Sequence, residues 1–259
     1  MLLEGKKVII TGGVTGIGKA TVLAMAKEGA SVVTFTPDLP DSERAVATIE
    51  GAKKLGSGVF SHIQCDVRNE AAVNTAVEQA VKLMGGLTTV VNCAGIETQK
   101  PAENITPDDM YAEFAVHYVG TALICAAAFP YMKETGGSLI NYSSYAGTEG
   151  TPGMCAYSAA KAALLGYSRV IAKEWGKYYI RVNMPCPAAW TEMGKEWYET
   201  KTPEGKKEAD AWLQSIIPLG GTFGEAEDAA NLNVFLASDM SKFITGQIIP
   251  VDGGMFFVR

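Results

Sequence analysis

The 259-residue chain alternates short, nearly continuous apolar runs with longer segments in which apolar residues recur every three or four positions. The short runs are rich in β-branched residues and are typical of buried strands, whereas the longer segments have the period of helices. Seven strands are predicted, at 6–11, 31–36, 59–65, 87–92, 137–143, 179–185 and 247–251. Helices are predicted near 16–29, 41–55, 69–84, 107–134, 153–177 and 225–238. This alternation indicates a single-domain α/β fold, a Rossmann-like, doubly wound parallel sheet flanked by helices.

One long segment, residues 187–223, interrupts the alternation between the sixth strand and the last helix. Apolar side chains stand there among charged ones, namely Trp190, Met193, Trp197, Tyr198, Trp212, Ile216, Ile217 and Phe223. Ligands of doubly wound sheets bind beyond the carboxyl ends of the strands, where such a segment can cover them. We interpret the segment as a substrate lid within the single domain. Ordinary helix packing or a subunit contact is the alternative.

The charge balance argues against a nucleic-acid partner. The chain has 22 Lys and Arg against 28 Asp and Glu, and no basic cluster faces a polyanion. Its five cysteines show neither a C-x-x-C pair nor a metal spacing, which favours a reducing cytoplasm and predicts no metal site. The apolar run near the N-terminus is too short for a signal sequence. No stretch is expected to approach the roughly 20 apolar residues of a membrane span, so no membrane partner is predicted.

The first predicted strand leads directly into TGGVTGIGKA, residues 11–20. Gly12, Gly16 and Gly18 stand there in G-x-x-x-G-x-G spacing at the start of a helix. Glycines let the backbone approach a pyrophosphate, and a helix N-terminus favours negative charge. The strand before the motif and the helix after it are the context that a dinucleotide site requires.

A second motif, CAYSAAKAAL at residues 155–164, places Tyr157 and Lys161 one helical turn apart on the same face. The ammonium could lower the pKa of the phenol from its ordinary value near 10 and let it exchange protons with a substrate. For an isolated Y-x-x-x-K, the ordinary interpretation is a lysine lying beside a half-buried tyrosine.

Together these motifs resemble the classical short-chain dehydrogenase/reductases, whose signature reads T-G-x-x-x-G-x-G. Ser144 stands thirteen residues before Tyr157, which is the family spacing. Further similar stretches follow in the family's order: Asp66-Val67, NCAG at 92–95 with Cys93 in place of an Asn, YSSYAG at 142–147, IRVNMPCP at 180–187 and ITGQIIPVDGG at 244–254. The resemblance covers most of the chain and favours a catalytic role for Tyr157 and Lys161.

The resemblance implies a nicotinamide-dependent enzyme that interconverts a secondary alcohol and a ketone. It implies that Tyr157 passes a proton to or from the substrate oxygen, that Ser144 hydrogen-bonds this oxygen, and that Lys161 lowers the phenol's pKa and holds the nicotinamide ribose. It also implies cofactor contacts from Gly12, Thr15, Gly16, Ile17, Gly18, Thr36, Asp38, Asp66, Val67, Asn92, Ala94, Gly95, Tyr157, Lys161, Pro187, Ala188 and Thr191.

The chain departs from the family at two places. His117 aligns with the family's catalytic Asn, where a main-chain carbonyl helps to anchor a water that leads protons away from the lysine. A neutral imidazole could join that relay, so His117 is predicted as a fourth catalytic residue; a histidine that only fills space is the alternative. In PAAWTEM, 187–193, Ala188 replaces the family's glycine and Thr191 falls one position early. The other histidine, His62, is expected to be structural and away from these motifs.

Cofactor choice is predicted at the end of the second strand, where NAD enzymes carry an acid and NADP enzymes an arginine. The sequence there is TFTPDLPD, with Asp38 and Asp41 just beyond Thr36. NADP enzymes often carry a basic residue at the position that Thr15 occupies in the glycine motif, and this chain has none there. Two acids without a cation would repel a 2′-phosphate, so NAD(H) is favoured over NADP(H).

The second half of the chain is similar to bacterial bile-acid hydroxysteroid dehydrogenases, in particular those that act on the 12α-hydroxyl. A steroid needs a large apolar pocket, which the lid tryptophans with Met184 and Met193 could line. A bile-acid carboxylate could meet a lysine at the rim, from among Lys195, Lys201, Lys206 and Lys207. The alternatives are another carbonyl substrate, such as a 3-oxoacyl thioester or a small secondary alcohol, and a non-catalytic dinucleotide-binding scaffold. Members of the family are commonly tetramers or dimers, and two alanine-rich helices could pack closely across a symmetry axis. A homotetramer or homodimer is therefore favoured.

Overall fold

The computed structural model describes residues 1–257, without the side chains of Met193 and Trp197. Its strands are β1 Lys7–Thr11, β2 Ser31–Thr36, β3 Phe60–Gln64, β4 Thr89–Asn92, β5 Gly137–Asn141, β6 Ile180–Pro187, β7 Ala189–Trp190, β8 Gly224–Glu225 and β9 Ile248–Val251. Seven of these strands form one parallel sheet in the order β3-β2-β1-β4-β5-β6-β9, and β7 pairs with β8 beside it. The strand order reverses between β1 and β4, and the crevice at such a reversal is where doubly wound sheets bind ligands.

Helices cover both faces of the sheet. They are α1 Gly16–Lys27, α2 Glu43–Leu55, α3 Glu70–Met84, α4 Pro107–Phe114, α5 Thr121–Met132, α6 Ala146–Glu149, α7 Cys155–Trp175, α8 Glu192–Glu199, α9 Pro203–Ile216 and α10 Ala226–Ala237. Each strand and helix predicted from the hydrophobic pattern is present, with ends that differ by a few residues. The predicted Rossmann-like fold is therefore confirmed.

The pattern works because the central strands are buried on both sides. In β1, Val8 and Ile10 pack into one apolar cluster with α1 and α10, whereas Ile9 packs into the other with α3 and α5. All three side chains are fully buried. A strand of this kind has no polar face, so it appears in the sequence as a continuous apolar run.

The helices α4 and α5 form one continuous rod, because a π-helical segment, Ala115–Gly120, joins them. This rod, Pro107–Met132, is long and apolar enough by composition to cross a membrane. The expectation that no stretch approaches that length is therefore wrong. The rod packs on the sheet through buried side chains that include Ile124, Ala128 and Met132.

The segment 187–223 contains β7, α8 and α9, and β8 follows directly after it; the hydrophobic period predicted none of these four elements. Its two ends are joined, because Ala189 pairs with Gly224 and Trp190 with Glu225. Both helices begin after a capping threonine: Thr191 Oγ1 accepts a hydrogen bond from Gly194 N–H, and Thr202 Oγ1 accepts one from Gly205 N–H. These caps are helix-start signals that a search for periodicity alone does not register.

Candidate active site

The side chains predicted to be catalytic meet where β5, the rod and α7 come together. Tyr157 lies in the first turn of α7, and Ser144, which follows β5, lies near enough to its phenol to lower the phenol's pKa. Lys161 Nζ lies 5.5 Å from the centroid of the Tyr157 ring. The His117 ring meets the Tyr157 ring edge-on, with 5.2 Å between the centroids. The structure thus brings together the four residues that the sequence singled out.

Helix α7 holds Lys161 inside the protein. The side chain is only 5% exposed, and its Nζ donates a 2.8 Å hydrogen bond to the carbonyl of Tyr142. Helix α6 packs tightly beside it, because a Cβ on Gly147 would lie 2.8 Å from Lys161 Cβ. The ammonium is therefore fixed in place by the backbone around it.

Burial dominates the ionisation of this pair. It raises the pKa of Tyr157 to about 12, against a smaller lowering effect of the Ser144 hydroxyl, and it lowers the pKa of Lys161 to about 8. The expected lowering of the phenol's pKa by Lys161 is not seen in this structure, in which desolvation is the largest influence and raises that pKa. A phenol with a raised pKa keeps its proton at neutral pH and is suited to donate it.

His117 lies in the π-helical segment, a feature often found at functional sites. A Cβ on Gly95, the last residue of NCAG, would lie 2.8 Å from His117 Cε1, so only glycine allows the ring to lie there. Burial, and then the charge of Lys161, lower the pKa of this histidine, which is therefore neutral at pH 7. Its closest charged partner is Glu113, which the sequence analysis missed although the E-x-x-x-H spacing places both on one helical face.

The glycine loop closes tightly against the end of β4. Gly12 has φ +68°, and a Cβ there would lie 2.9 Å from Ala94 N. Thr11 Oγ1 accepts hydrogen bonds from the N–H groups of Cys93 and Ala94, each at 3.1 Å. Asn92 donates to Asn141 at 2.9 Å across β4 and β5. The motif residues after β1 and β4 are therefore one connected unit.

The N-terminus of α1 already holds an anionic group. Gly16 N–H donates a 2.8 Å hydrogen bond to Glu192 Oε2, a carboxylate at the start of α8. Thr15 is exposed beside it as the N-cap residue, and Ile17 is partly buried in the first turn. Because a carboxylate satisfies this helix terminus, the loop fits the pyrophosphate of a dinucleotide.

Thr191 also lies near the glycine loop, although it stands one position earlier in the sequence than the family's threonine. Its side-chain carbons lie within 3.8 Å of the position that a Cβ on Gly16 would take. Pro187 ends β6, and Ala188 continues the chain by donating its N–H to Val251 O and accepting a hydrogen bond from Gly224 N–H. The structure therefore places this predicted contact residue beside the glycine loop.

Glu192 should compete with a bound dinucleotide for Gly16 N–H. We expect Glu192→Gln to tighten dinucleotide binding about fivefold, because it removes a charged acceptor whose hydrogen bond contributes about 1 kcal/mol. The change in Kd can be measured by the fluorescence of the reduced cofactor. The matched control is Glu196→Gln, an exposed carboxylate on the same helix, which should leave Kd unchanged. Weaker binding by Glu192→Gln alone would show instead that Glu192 helps to hold the cofactor.

The loop after β2 is contacted by a cation from the first turn of α2, Arg44, which the sequence prediction did not include. The Asp38 carboxylate accepts hydrogen bonds from Arg44 at 2.7 Å and from Thr36 Oγ1 at 2.9 Å. His62 is buried as expected but is not remote from the cofactor motifs, since its Nε2 lies 3.0 Å from Asp38 O. Its Nδ1 lies 2.8 Å from Thr34 Oγ1. The description of this loop as two acids without a cation is therefore wrong.

Asp66 and Val67, two of the predicted cofactor contacts, follow a residue next to this loop, because Cys65 N–H donates to Thr36 O. The Asp66 carboxylate is bound by Arg68 through both oxygens, and these hydrogen bonds hold the pKa of Asp66 below its usual value. Val67 is buried against the rod, where a Cβ on Gly120 would lie 2.7 Å from Val67 Cγ2.

The lid segment presents a cluster of aromatic rings. The Trp190 ring packs at 5.5 Å from Tyr198 and 5.1 Å from Phe223, and its indole N–H donates to Thr222 Oγ1. Trp212 is half exposed on α9. The predicted lining by Met193 and Trp197 lies outside the described residues.

One element of the predicted steroid pocket is not in place, and two of its rim lysines form ion pairs. Met184 is fully buried in the core beside Ile180 and cannot line a pocket. Of the four rim lysines, Lys195 pairs with Glu225 at 3.2 Å and Lys206 pairs with Glu199.

The cysteines take no part in a cluster of metal ligands. All five are free thiols, and burial raises the pKa of Cys93 to about 12. Within residues 1–257 no group of three His, Cys, Asp or Glu side chains could hold a metal ion.

Comparisons with known proteins agree with this geometry. A family model described as enoyl-(acyl carrier protein) reductase matches residues 12–256. The solved structure of a short-chain dehydrogenase/reductase from Serratia marcescens matches with a TM-score of 0.88 at 30% identity, over 98% of this chain and 99% of that one. The chain belongs to the short-chain dehydrogenase/reductase family. The resemblance of its motifs to that family is confirmed.

This short-chain dehydrogenase/reductase has relatives with different named substrates. It is 36% identical over 256 residues to 3-oxoacyl-[acyl-carrier-protein] reductase of Thermotoga maritima, covering 98% of this chain and 99% of the relative. It is 34% identical over 254 residues to D-threitol dehydrogenase of Mycolicibacterium smegmatis, covering 97% and 93%. Levodione reductase matches in structure with a TM-score of 0.90 at 28% identity, over 97% of this chain and 98% of that one. The chain is therefore an NAD(P)-dependent oxidoreductase of the alcohol dehydrogenase and ketone reductase type.

Proposed function

We propose that this enzyme interconverts a secondary alcohol and a ketone on a bulky apolar skeleton, with a hydroxysteroid of the bile-acid type, acted on at the 12α-hydroxyl, as the first candidate. The observation that carries this proposal is the aromatic cluster of Trp190, Tyr198 and Phe223 in the segment 187–223. This segment begins beside the glycine loop, so it is placed to cover a substrate next to a bound dinucleotide. We propose it as the substrate lid.

In this proposal Tyr157 is the proton donor for ketone reduction. Its raised pKa keeps the phenol protonated at neutral pH, and an alkoxide forming next to it is a much stronger base than phenolate. Ser144 orients the same oxygen. Because the Ala146 N–H already donates to Ser144 Oγ at 3.1 Å, the hydroxyl proton of Ser144 is left to donate to the substrate oxygen.

A bound nicotinamide would supply the hydride acceptor or donor. We propose that the Gly12, Gly16 and Gly18 loop holds its pyrophosphate and that Lys161 holds the nicotinamide ribose. The remaining contacts in the proposal come from the positions that the motifs implied, namely Thr15, Ile17, Thr36, Asp38, Asp66, Val67, Asn92, Ala94, Gly95, Pro187, Ala188 and Thr191.

We propose NAD(H) as the preferred cofactor. Asp38 is held at the end of β2, where its carboxylate can bond to a ribose 2′-hydroxyl and would repel a 2′-phosphate. Arg44 weakens this argument, because it neutralises Asp38 and its side chain is 63% exposed. Asp41 remains as a second acid in the loop, which keeps the balance of charge in favour of NAD(H).

A 3-oxoacyl thioester is a second candidate substrate. It is favoured by the identity to the Thermotoga maritima relative named above over nearly the full length of both chains. A long acyl chain is also apolar, so the same aromatic cluster is compatible with it.

We further propose a homotetramer or homodimer in the cytoplasm, without nucleic-acid or membrane partners. The rod presents exposed apolar side chains, including Met110 at 46%, Val119 at 41% and Tyr131 at 40% exposed. Burial of such a surface against a second copy would be favourable.

The experiment that tests the substrate proposal is a comparison of turnover numbers on three kinds of alcohol with NAD and NADP at equal concentration. The alcohols are a 12α-hydroxylated cholane, a 3-hydroxyacyl thioester and a small polyol. We expect turnover of the cholane with a KM in the micromolar range, about 1–100 μM, and a preference for NAD. No turnover of any cholane with rapid turnover of the thioester would establish the second candidate. A large preference for NADP would overturn the cofactor proposal.

A further inference from the structure

A carboxylate and a histidine are buried together behind the reacting tyrosine. Glu113 on α4 is fully buried, and His117 one turn later is 2% exposed. Glu113 Oε2 lies 3.1 Å from His117 Nε2. The other carboxylate oxygen, Oε1, accepts a 2.6 Å hydrogen bond from Thr98 N–H in the loop that follows β4. Glu113 therefore connects the loop over the site to the imidazole.

These contacts determine which ring nitrogen carries the proton. His117 Nε2 hydrogen-bonds to Ile96 O at 2.8 Å, and Glu113 Oε2 lies 3.1 Å from it without a hydrogen bond of its own, whereas Ile96 N–H is farther away at 3.3 Å. Two oxygens at shorter range than the donor favour a proton on Nε2. This leaves a lone pair on Nδ1.

That lone pair is buried without a partner. His117 Nδ1 has no hydrogen-bond partner among the described residues, although the ring is almost wholly enclosed. An unpaired buried acceptor is costly, at about 1–3 kcal/mol, and its presence beside a reacting group indicates a role for it. The ring also meets Tyr157 edge-on at 5.2 Å.

The charged groups around the pair favour an acceptor that is neutral at rest. Lys161 on α7 opposes protonation of His117, whereas Glu113 on α4 favours it. Glu97, in the loop after β4, and Glu113 both raise the pKa of Tyr157 and so favour its protonated form. The imidazole is thus uncharged in the resting protein, with a carboxylate in position to stabilise it once it is charged.

We propose that Glu113 is a positioning residue for proton transfer: the negative charge of its carboxylate, 3.1 Å from His117 Nε2, favours a proton on that nitrogen, so that Nδ1 can accept, through one water, the proton that leaves Tyr157 during alcohol oxidation. The O–H bond of the phenol breaks, an N–H bond forms on the imidazole, and the proton then passes to bulk water without any change of oxidation state. This inference rests on the proposed role of Tyr157.

Glu113→Gln tests the proposal because it keeps the contact with Thr98 N–H and replaces the carboxylate oxygen near His117 Nε2 with a hydrogen-bond donor. The glutamine oxygen can still accept from Thr98 N–H, which places the amide NH₂ against His117 Nε2. The amide then offers Nε2 a donor in competition with Ile96 O, which favours the tautomer with the proton on Nδ1, as happens when an amide replaces the carboxylate of a Ser-His-Asp triad.

Histidine-¹⁵N NMR reads this change without any substrate, since the chain has only two histidines. We expect the Nε2–H tautomer for His117 in the wild type and the Nδ1–H tautomer in Glu113→Gln, with His117→Asn providing the assignment. The same tautomer in both proteins would overturn the proposal. Because this readout needs no turnover, it stands even if the proposed substrate is wrong.

Kinetics then test the relay, with the alcohol that the wild type oxidises fastest. We expect Glu113→Gln to lower kcat for oxidation about 10–100-fold and to leave dinucleotide Kd within twofold. The acid limb of the pH profile should shift to lower pH, because the substitution removes a negative charge that raises the pKa of Tyr157. On a His117→Asn background the same change should have no further effect on kcat. An equal loss on both backgrounds, or an unmoved acid limb, would show that Glu113 only supports the loop.

Should Glu113→Gln fail to fold, His117→Asn alone decides the relay. We expect it to lower kcat for oxidation about tenfold, with dinucleotide Kd unchanged. An unchanged kcat would overturn the proposal.

Discussion

Tyr157→Phe should reduce turnover by at least about 100-fold and as much as 10,000-fold while leaving dinucleotide binding nearly intact. The substitution removes one oxygen, which is the atom proposed to donate the proton, and general acid catalysis typically contributes a factor of this size. The ring itself stays, so it can still pack edge-on against His117 and lie under the ammonium of Lys161. The proposed cofactor contacts of the glycine loop are not altered.

The measurement is kcat for ketone reduction, followed by absorbance of the reduced cofactor, together with dinucleotide Kd from fluorescence. Tyr167→Phe is the matched control, because this tyrosine lies on the same helix and its hydroxyl contacts Ala122 O at 3.5 Å and the Cys125 thiol. It should keep kcat within about twofold of the wild type. Turnover of Tyr157→Phe close to that of this control would remove Tyr157 from the mechanism. A wild type that binds dinucleotide but turns over no substrate would support the non-catalytic scaffold.

The fold could be predicted because its information is local and periodic. Strands such as β1 and β4 are buried on both faces, so their residues appear as unbroken apolar runs, and the glycine motif lies directly between one such strand and a helix. Short connections and right-handed crossovers then leave few possible arrangements of the sheet. The prediction missed α8 and α9, which are amphipathic but rich in polar residues, because their few apolar side chains were interpreted only as the lining of a lid.

The site could be predicted only as far as its motifs reach along the chain. Ser144, Tyr157 and Lys161 lie within one short stretch, so their spacing carries the prediction. The contact of Glu192 with Gly16 joins residues 176 positions apart. The contact of His62 with the Asp38 loop depends on the parallel register that sets Thr34 opposite His62. Contacts of this kind follow from the packing of the sheet and leave no mark on the local sequence.

Ionisation was the least predictable property. The spacing of Tyr157 and Lys161 correctly placed the ring and the cation together, but the direction of the phenol's pKa depends on how much water the fold excludes. Desolvation outweighs the effect of the neighbouring charge, and only the three-dimensional burial of both groups reveals this.

Gly18→Ala should lower dinucleotide affinity by more than about 100-fold and destabilise the protein by about 1–3 kcal/mol, the usual cost of overpacking. A Cβ at this position would lie 2.1 Å from the carbonyl oxygen of Gly12 and 3.1 Å from Gly13 Cα, closer than non-bonded atoms approach. The obstructing atoms are backbone and have no rotamer to change. Gly12 is itself fixed, because its N–H donates a 2.8 Å hydrogen bond to Phe35 O. The loop must therefore open, and the N–H groups that would cradle a pyrophosphate are displaced.

The matched control is Gly166→Ala in the middle of α7, where a Cβ would meet nothing within 4 Å. Since alanine is the better helix former, this variant should be more stable by about 0.5–1 kcal/mol, with dinucleotide Kd unchanged. Titration with dinucleotide and thermal unfolding of both variants separate the two effects, because a general intolerance of added volume would destabilise both. If Gly18→Ala bound dinucleotide within about tenfold of the wild type, the first glycine motif would not be the pyrophosphate site, and the cofactor would have to lie elsewhere along the carboxyl edge of the sheet.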